Sequence, residues 1–346
     1  MITSRISHKI SVFQFIAMIL VVYIHSYNIE TQINGVKNNS ISNFVIHFEN
    51  FISFVICRPA VPAFFVISGF LFFLKLEKYN FGLYIIQLKK RFKTLVIPYL
   101  IWTFAWFFLI LIAKNVFGLQ HFFNTNESNV LKGLFINPIN YQFWFLRDLI
   151  MLILLTPILY FFIKKTPYIF LAILFILINL FDKNIYVIFT QSSLFYFSLG
   201  AFFALNKINI DQKINFKLLT LLLLIWFILP IFKKSFTLFN VTLNLQELFI
   251  PAGLYLYWMA LDFVVNKKHT HILLKLSTSS FFIYAFHEPI LIGLKKITIK
   301  IFGFNSNILL LMYILLPIIV IIASILLNNF LAKYLPKVRN VLVGYR

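Results

Sequence analysis

Apolar runs of roughly 17–25 residues recur from one end of this chain to the other, which is the length an α-helix needs to cross a bilayer. They do not alternate apolar and polar residues over about ten positions, as the strands of an outer-membrane barrel would. Composition agrees: 61% of the 346 residues are hydrophobic and 12% charged, where soluble domains carry about 25% charged residues. The chain therefore reads as an all-α, polytopic integral membrane protein. Its single cysteine, Cys57, lies inside an apolar run, which leaves no disulfide framework and no cysteine metal site, and no metal is expected. The first run, "ISVFQFIAMILVVYIHSY", is too long for a signal-peptide core and no small-x-small cleavage site follows it, so it is read as a retained span.

About ten spans are expected, over residues 10–27, 51–74, 96–113, 143–163, 167–181, 186–206, 216–232, 245–265, 273–294 and 307–331. An even number places both termini on one side. Lysine and arginine decide which side, because cytoplasmic loops carry the excess. With both termini inside, the cytoplasmic pieces hold Arg5 and Lys9, six basic residues in 75–93, two at 164–165, three in 207–217, three in 267–275 and four from 333 onward, twenty in all. The outer pieces hold Lys37, Lys114, Lys132, Lys183, Lys233, Lys234, Lys295, Lys296 and Lys300, nine in all. Both termini are therefore expected in the cytoplasm. The net charge of +21 is spread over short loops, which fits topology and contact with anionic membrane lipids rather than nucleic acid. No internal repeat, low-complexity tract or linker stands out, and residues 1–346 read as a single transmembrane domain without an appended soluble catalytic module. The stretch "YNFGLYIIQLKKRFKTLV" reads as a basic amphipathic helix on the inner face, and residues 114–142 as an outer loop.

The remaining two basic residues, Arg58 and Arg147, fall inside spans, where an ionisable side chain costs several kcal/mol unless paired or hydrated. Counting about 1.5 Å per residue from the nearest inner lysine puts His25 about 24 Å up, Arg58 and Arg147 about 25 Å, and Asp148 and Gln191 about 24 Å. His287 and Glu288 fall at roughly 18–20 Å. Five spans thus contribute polar groups to one layer in the outer half of the membrane. Arg58 is expected to face a polar cavity near Asp148 or Glu288, with Pro59 and Pro62 breaking the helix beside it.

A histidine can take a proton from a hydroxyl, a carboxylate can orient its imidazole, and an arginine can hold a developing oxyanion. That set suits acyl transfer to a sugar hydroxyl, and it suits proton-coupled transport equally well. Plainer readings stand beside both: an arginine near the interface can snorkel to water, and His25 can be a satisfied interior histidine. No glycine-rich phosphate loop, HExxH pair or GxSxG elbow occurs. In "VISGF", Ser68 and Gly69 read as a close helix contact.

Five pieces in order carry a family likeness: "AMILVVYIHS" with His25, "RPAVPAFFVISGFLF", "KKRFKTLVIPYLIW", "FWFLRDLIMLILLTPIL" and "SFFIYAFHEPIL" with His287. Together they resemble the membrane-bound acyltransferase 3 family, whose bacterial members O-acylate cell-surface polysaccharides, lipopolysaccharide, peptidoglycan and related glycans. The likeness covers nearly the whole chain and implies the same ten-span helical architecture. It assigns the base or acyl-handling role to His25. Eleven positions before that histidine the family carries arginine or lysine. Gln14 stands there in this chain, with Lys9 or Arg5 available from the interface. Of two family arginines three apart before "IPY", Arg91 is kept and Thr94 replaces its partner.

The resemblance also implies an acyl-coenzyme A donor, acetyl-coenzyme A being the commonest and succinyl and other small acyl groups being used by relatives. Arg91, Lys90 and Lys93, with Lys89, are placed to attract its phosphates, or they carry only the ordinary positive-inside signal. The acceptor is a glycan or lipid-linked glycan hydroxyl reached from the outer side of a bacterial cytoplasmic membrane. In that scheme the thioester extends between spans one, two, four and nine to His25, with Arg58 or Arg147 on the oxyanion and Asp148, His287 and Glu288 completing the layer. A lipid-linked sugar exporter or flippase is the competing class. The absence of an internal repeat and of paired broken helices stands against it, and thioester consumption would separate the two.

Overall fold

A computed structural model describes residues 3–28, 41–76, 78–117, 138, 140–180, 189–212, 215–228, 235–238, 241–244, 246–265 and 270–345. Most of the expected outer loop at 114–142 lies outside them, as do Lys37, Lys132, Lys183, Lys213, Lys233, Lys234, Lys267, Lys268 and Arg346 from the charge count. The chain runs α1 (Ser4–Ser26), α2 (Asn43–Phe51), α3 (Ala60–Phe73), α4 (Phe81–Arg91), α5 (Ile97–Phe117), α6 (Trp144–Leu154), α7 (Thr156–Lys165) and α8 (Pro167–Leu180). It continues through α9 (Gln191–Leu205), α10 (Phe216–Ile228), α11 (Gln246–Val265), α12 (Thr270–Ser277), α13 (Ser280–Phe302), α14 (Ser306–Tyr334) and α15 (Pro336–Leu342). Between α10 and α11 an antiparallel hairpin, β1 (Ser235–Leu238) with β2 (Val241–Asn244), supplies the only strands among the described residues.

A helix lies on each of the expected apolar runs. Ser4–Ser26, Asn43–Leu76, Phe81–Leu109 and Ser306–Tyr334 are each long and apolar enough to cross a bilayer, and Tyr141–Leu154 with Thr156–Lys165 is so only as a pair, bent by 66° as a broken span or a re-entrant loop is. The basic stretch expected to lie apart on the inner face instead joins the third run, because a π turn at Phe92–Val96 carries α4 into α5 without a break. α14 shows how such helices divide their surface. Met312, Leu316, Val320 and Ser324 are buried, whereas Leu311, Leu315, Ile319, Ile322 and Leu326 are exposed apolar groups of the kind a lipid-facing stripe requires.

α1 is the hub of the bundle and packs against α3, α11, α12, α13 and α14. Its N-terminal end is tied down by charge: Arg5 pairs with Asp211 and Asp262, and Lys9 Nζ lies 2.7 Å from Asp262 and over the Trp258 ring. Arg5 and Lys9 are thus engaged with α11 and the segment before α10, not offered in place of a charge at Gln14. α3 and α9 cross closely at two glycines. A Cβ on Gly69 would fall 2.1 Å from Phe197 O, and one on Gly200 would fall 2.0 Å from Val66 O, so the two glycines permit an approach that any side chain would forbid.

At three prolines a side chain satisfies the carbonyl that the missing N–H strands. Pro289 in α13 removes the partner of Ala285 O, and Trp106 Nε1 donates there at 3.0 Å. In α14, Pro317 frees Tyr313 O, which receives the Ser26 hydroxyl at 3.3 Å. Pro157 frees Ile153 O at the 66° bend, where the Thr156 hydroxyl donates at 2.7 Å. Arg58 sits in the break between a π turn at Ile52–Ile56 and α3, with Pro59 at the N-cap. Pro62 lies in the first turn of α3 and causes no further break, because its missing N–H would have no helical partner there.

Candidate active site

His25 occupies the last turn of α1, and Glu288 follows His287 in the middle of α13. His25 Nδ1 lies 2.7 Å from Glu288 Oε2, with each side chain 13% exposed. The approach is short but not aligned with a ring N–H as a hydrogen bond. The ring is turned with Nδ1 to the carboxylate, which leaves Nε2 on the side away from Glu288. His287 is fully buried, and its Nδ1 donates to Ile283 O at 3.0 Å and Tyr284 O at 2.9 Å. That fixes the tautomer, because both partners only accept. Its Nε2 is a buried lone pair 3.8 Å from Glu288 Oε2, and the two histidine rings meet edge to face with centroids 5.2 Å apart.

The ligand-type atoms of His25, His287 and Glu288 all lie within 4.8 Å of one another, so the cluster has the composition of a cation site. The 2.7 Å between His25 Nδ1 and Glu288 Oε2 is shorter than the roughly 3.3 Å between ligand atoms in tetrahedral zinc with bonds of 2.0–2.1 Å. A cation would require the pair to open.

A cavity of about 440 Å³ runs alongside, a volume in the range of small-molecule sites. Ser11, Gln14, Met18, Val21 and His25 line it from α1 at spacings of three and four, which is one face of a helix. That stripe spans about 21 Å at 1.5 Å per residue. α3 contributes Val61, Phe64, Ser68 and Leu71, and the segment from Gln142 to Leu149 forms part of the facing wall. Arg91 lines the same cavity, its guanidinium 5.9 Å from the Phe72 ring and its Nε without a hydrogen-bond partner among the described residues. Ser277, Thr278 and Ser280 join it from the entry to α13. Lys90 and Lys93 are exposed on either side of Arg91.

The other residues of the expected polar layer are placed differently. Arg147 donates to Asp148 Oδ1 at 2.7 Å, and Asp148 Oδ2 accepts the Thr190 amide at 2.8 Å, tying α6 to the start of α9 beside Gln191. Neither Arg58 nor Arg147 is among the described residues that line the cavity. Lys295, counted from sequence as an outer-loop lysine, is instead buried in α13 at 6% exposure. Its Nζ donates to His25 O at 2.7 Å and Tyr27 O at 2.9 Å, so it caps the helix that carries His25. The signal for it was present: Lys295 is seven residues after Glu288, on the same helix face. Gln142 was also missed, since nothing in its sequence context marks it.

The chain matches the model of the acyltransferase 3 family, described as an acyltransferase domain, over residues 7–329. The chain belongs to this acyltransferase family. The acyltransferase is therefore a multi-pass membrane enzyme that transfers groups other than aminoacyl groups. It is similar to the succinoglycan biosynthesis protein ExoH of Rhizobium meliloti (strain 1021), with 26% identity over 306 residues, covering 84% of this chain and 80% of that protein. No solved structure matches the acyltransferase. The match takes in all three groups of the His25–His287–Glu288 cluster and the cavity residue Arg91.

Proposed function

We propose that this acyltransferase moves an acyl group, acetyl from acetyl-coenzyme A being the simplest case, to a hydroxyl of a cell-surface or lipid-linked polysaccharide. We place it in a bacterial cytoplasmic membrane with both termini inside. The observation that carries the reading is a single cavity lined by both His25 and Arg91. The polysaccharide acceptor is supported by the name of the similar succinoglycan biosynthesis protein, and the bacterial membrane by its organism.

Arg91 would receive the anionic part of the donor, with Lys90 and Lys93 drawing it in by charge. The pantetheine arm then extends along the α1 stripe toward His25. The acceptor hydroxyl gives its proton to His25 Nε2 as its oxygen attacks the thioester carbonyl carbon. The C–O bond forms and the carbonyl electron pair moves to oxygen. On collapse C=O reforms, the C–S bond breaks, and the departing thiolate takes the proton back from His25. Glu288, beside Nδ1, orients the ring with Nε2 toward the acceptor and stabilises the imidazolium between the two proton transfers.

The test is release of free coenzyme A from acetyl-coenzyme A by the purified protein with lipid-linked and short glycan acceptors, wild type beside His25→Ala. Acceptor-dependent release that disappears in the variant supports the reading. Equal turnover by both removes His25 from the chemistry.

A further inference from the structure

The mechanism above leaves the developing oxyanion without a donor, and a buried group lies in the cavity wall with two donors unused. Gln142 is 2% exposed and lines the same cavity as His25, yet neither Nε2 nor Oε1 of its amide has a hydrogen-bond partner among the described residues. An amide left unpaired at both ends in the interior is destabilising, and native proteins rarely keep one without a use. Its backbone is held in place. Gln142 sits in a single 3₁₀ turn, Tyr141–Phe143, ahead of α6, and its carbonyl accepts the Tyr284 hydroxyl at 2.6 Å. Both neighbours of that arrangement lead to the reacting histidine. The Tyr141 ring packs against His25 with centroids 6.2 Å apart, and Tyr284 precedes His287 and Glu288 by one turn of α13.

We propose that Gln142 is a catalytic residue whose side-chain Nε2–H binds the thioester carbonyl oxygen of the donor and stabilises the oxyanion that forms there. The inference rests on the acyl-transfer reading of the site. Three features favour an amide in this role. It is neutral, so it stays buried at no charge cost while waiting. It is pre-placed, so little reorganisation accompanies the reaction. Its Oε1 is left over to accept from the incoming acceptor hydroxyl or a neighbouring hydroxyl of the sugar. No proton leaves Gln142, so the balance of the reaction is unchanged: the carbonyl electron pair goes to oxygen on attack and returns on expulsion of the thiolate.

The experiment compares wild type, Gln142→Met, Gln142→Glu and His25→Ala by coenzyme A release and thermal unfolding. Gln142→Met keeps the volume and removes both unpaired polar ends. Its kcat should fall about 10²–10³-fold, the usual effect of deleting one oxyanion donor, with the donor KM within about threefold of wild type. Its unfolding midpoint should stay the same or rise, the opposite of what a structural amide would show. Gln142→Glu keeps the shape, loses the donors and adds charge beside the oxyanion, and should be at least as impaired. A second readout does not need turnover: the carbonyl stretch of ¹³C-acetyl-coenzyme A should shift to lower wavenumber on binding wild type and lose that shift in Gln142→Met. Turnover of Gln142→Met within about threefold of wild type, or activity and unfolding midpoint falling together, overturns the inference. An active His25→Ala beside an inactive Gln142→Met would instead remove the base assignment and leave the carbonyl site standing.

Discussion

His25 Nδ1 and Glu288 Oε2 stand 2.7 Å apart and join the last turn of α1 to the middle of α13. The carboxylate turns Nδ1 toward itself, and the opposite nitrogen is the one left to act on a hydroxyl. Glu288→Gln keeps the shape but removes the charge. Its kcat is expected to fall by about 10²-fold or more, in the range of general acid–base contributions, with donor affinity little changed. Steady-state kinetics in which KM alone moves would reassign Glu288 to binding.

The same helix holds His25 at a second point, because Lys295 Nζ donates to His25 O and Tyr27 O. Lys295→Met removes both bonds and leaves two carbonyls uncapped, so the last turn of α1 should shift against Glu288. A displacement of about 1 Å can cost 10²-fold in rate. Lys295→Arg retains the charge and the donors and should recover most of that loss. Equal defects in the two variants would mean that Lys295 acts through packing alone.

Arg91 lines the cavity, whereas Lys90 and Lys93 are exposed. Arg91→Ala should therefore raise the donor KM more than Lys90→Ala or Lys93→Ala does, by roughly 10-fold or more for a lost charge-assisted contact of about 1.5 kcal/mol. Added salt should weaken donor binding in wild type and blunt the differences among the lysine variants. A donor KM indifferent to Arg91 would return the cluster to a topological role.

Packing between α3 and α9 is decided at two glycines. Gly200→Leu would place a Cβ 2.0 Å from Val66 O, and the helices would have to separate. A cost of about 3 kcal/mol or more is expected, seen as a lower unfolding midpoint and poor recovery from membranes. Gly293→Ala is the control. A Cβ there meets nothing within 4 Å, and helix propensity predicts a gain of about 0.5–1 kcal/mol. A Gly200→Leu variant as stable as wild type would refute the close crossing.

The sequence was informative wherever a property depends on neighbours along the chain. Apolar length marked the helices, Pro59 marked the break beside Arg58, and Gly69 marked a close contact. It was uninformative about Gln142, because a glutamine between Tyr141 and Phe143 looks the same whether its amide meets water or a cavity. It misled about Lys295, since a lysine just past an apolar run resembles a loop charge. The layer estimate grouped His25, Arg58, Arg147, Asp148, His287 and Glu288 by height alone. Height says nothing about the angle at which a side chain leaves its helix.

The residues themselves determined that this protein is a helical membrane protein, because bilayer thickness and the cost of burying charge act on each segment separately, and five motifs in order carried its resemblance to the acyltransferase 3 family. Tertiary structure decided which polar groups meet. His25, His287 and Glu288 converge because α1 packs against α13, while Arg147 and Asp148 pair with each other and with the start of α9. Helix rotation and crossing set those partnerships, and they follow from packing across the whole bundle, from Gly69 against α9 to Ser26 on the carbonyl that Pro317 leaves free.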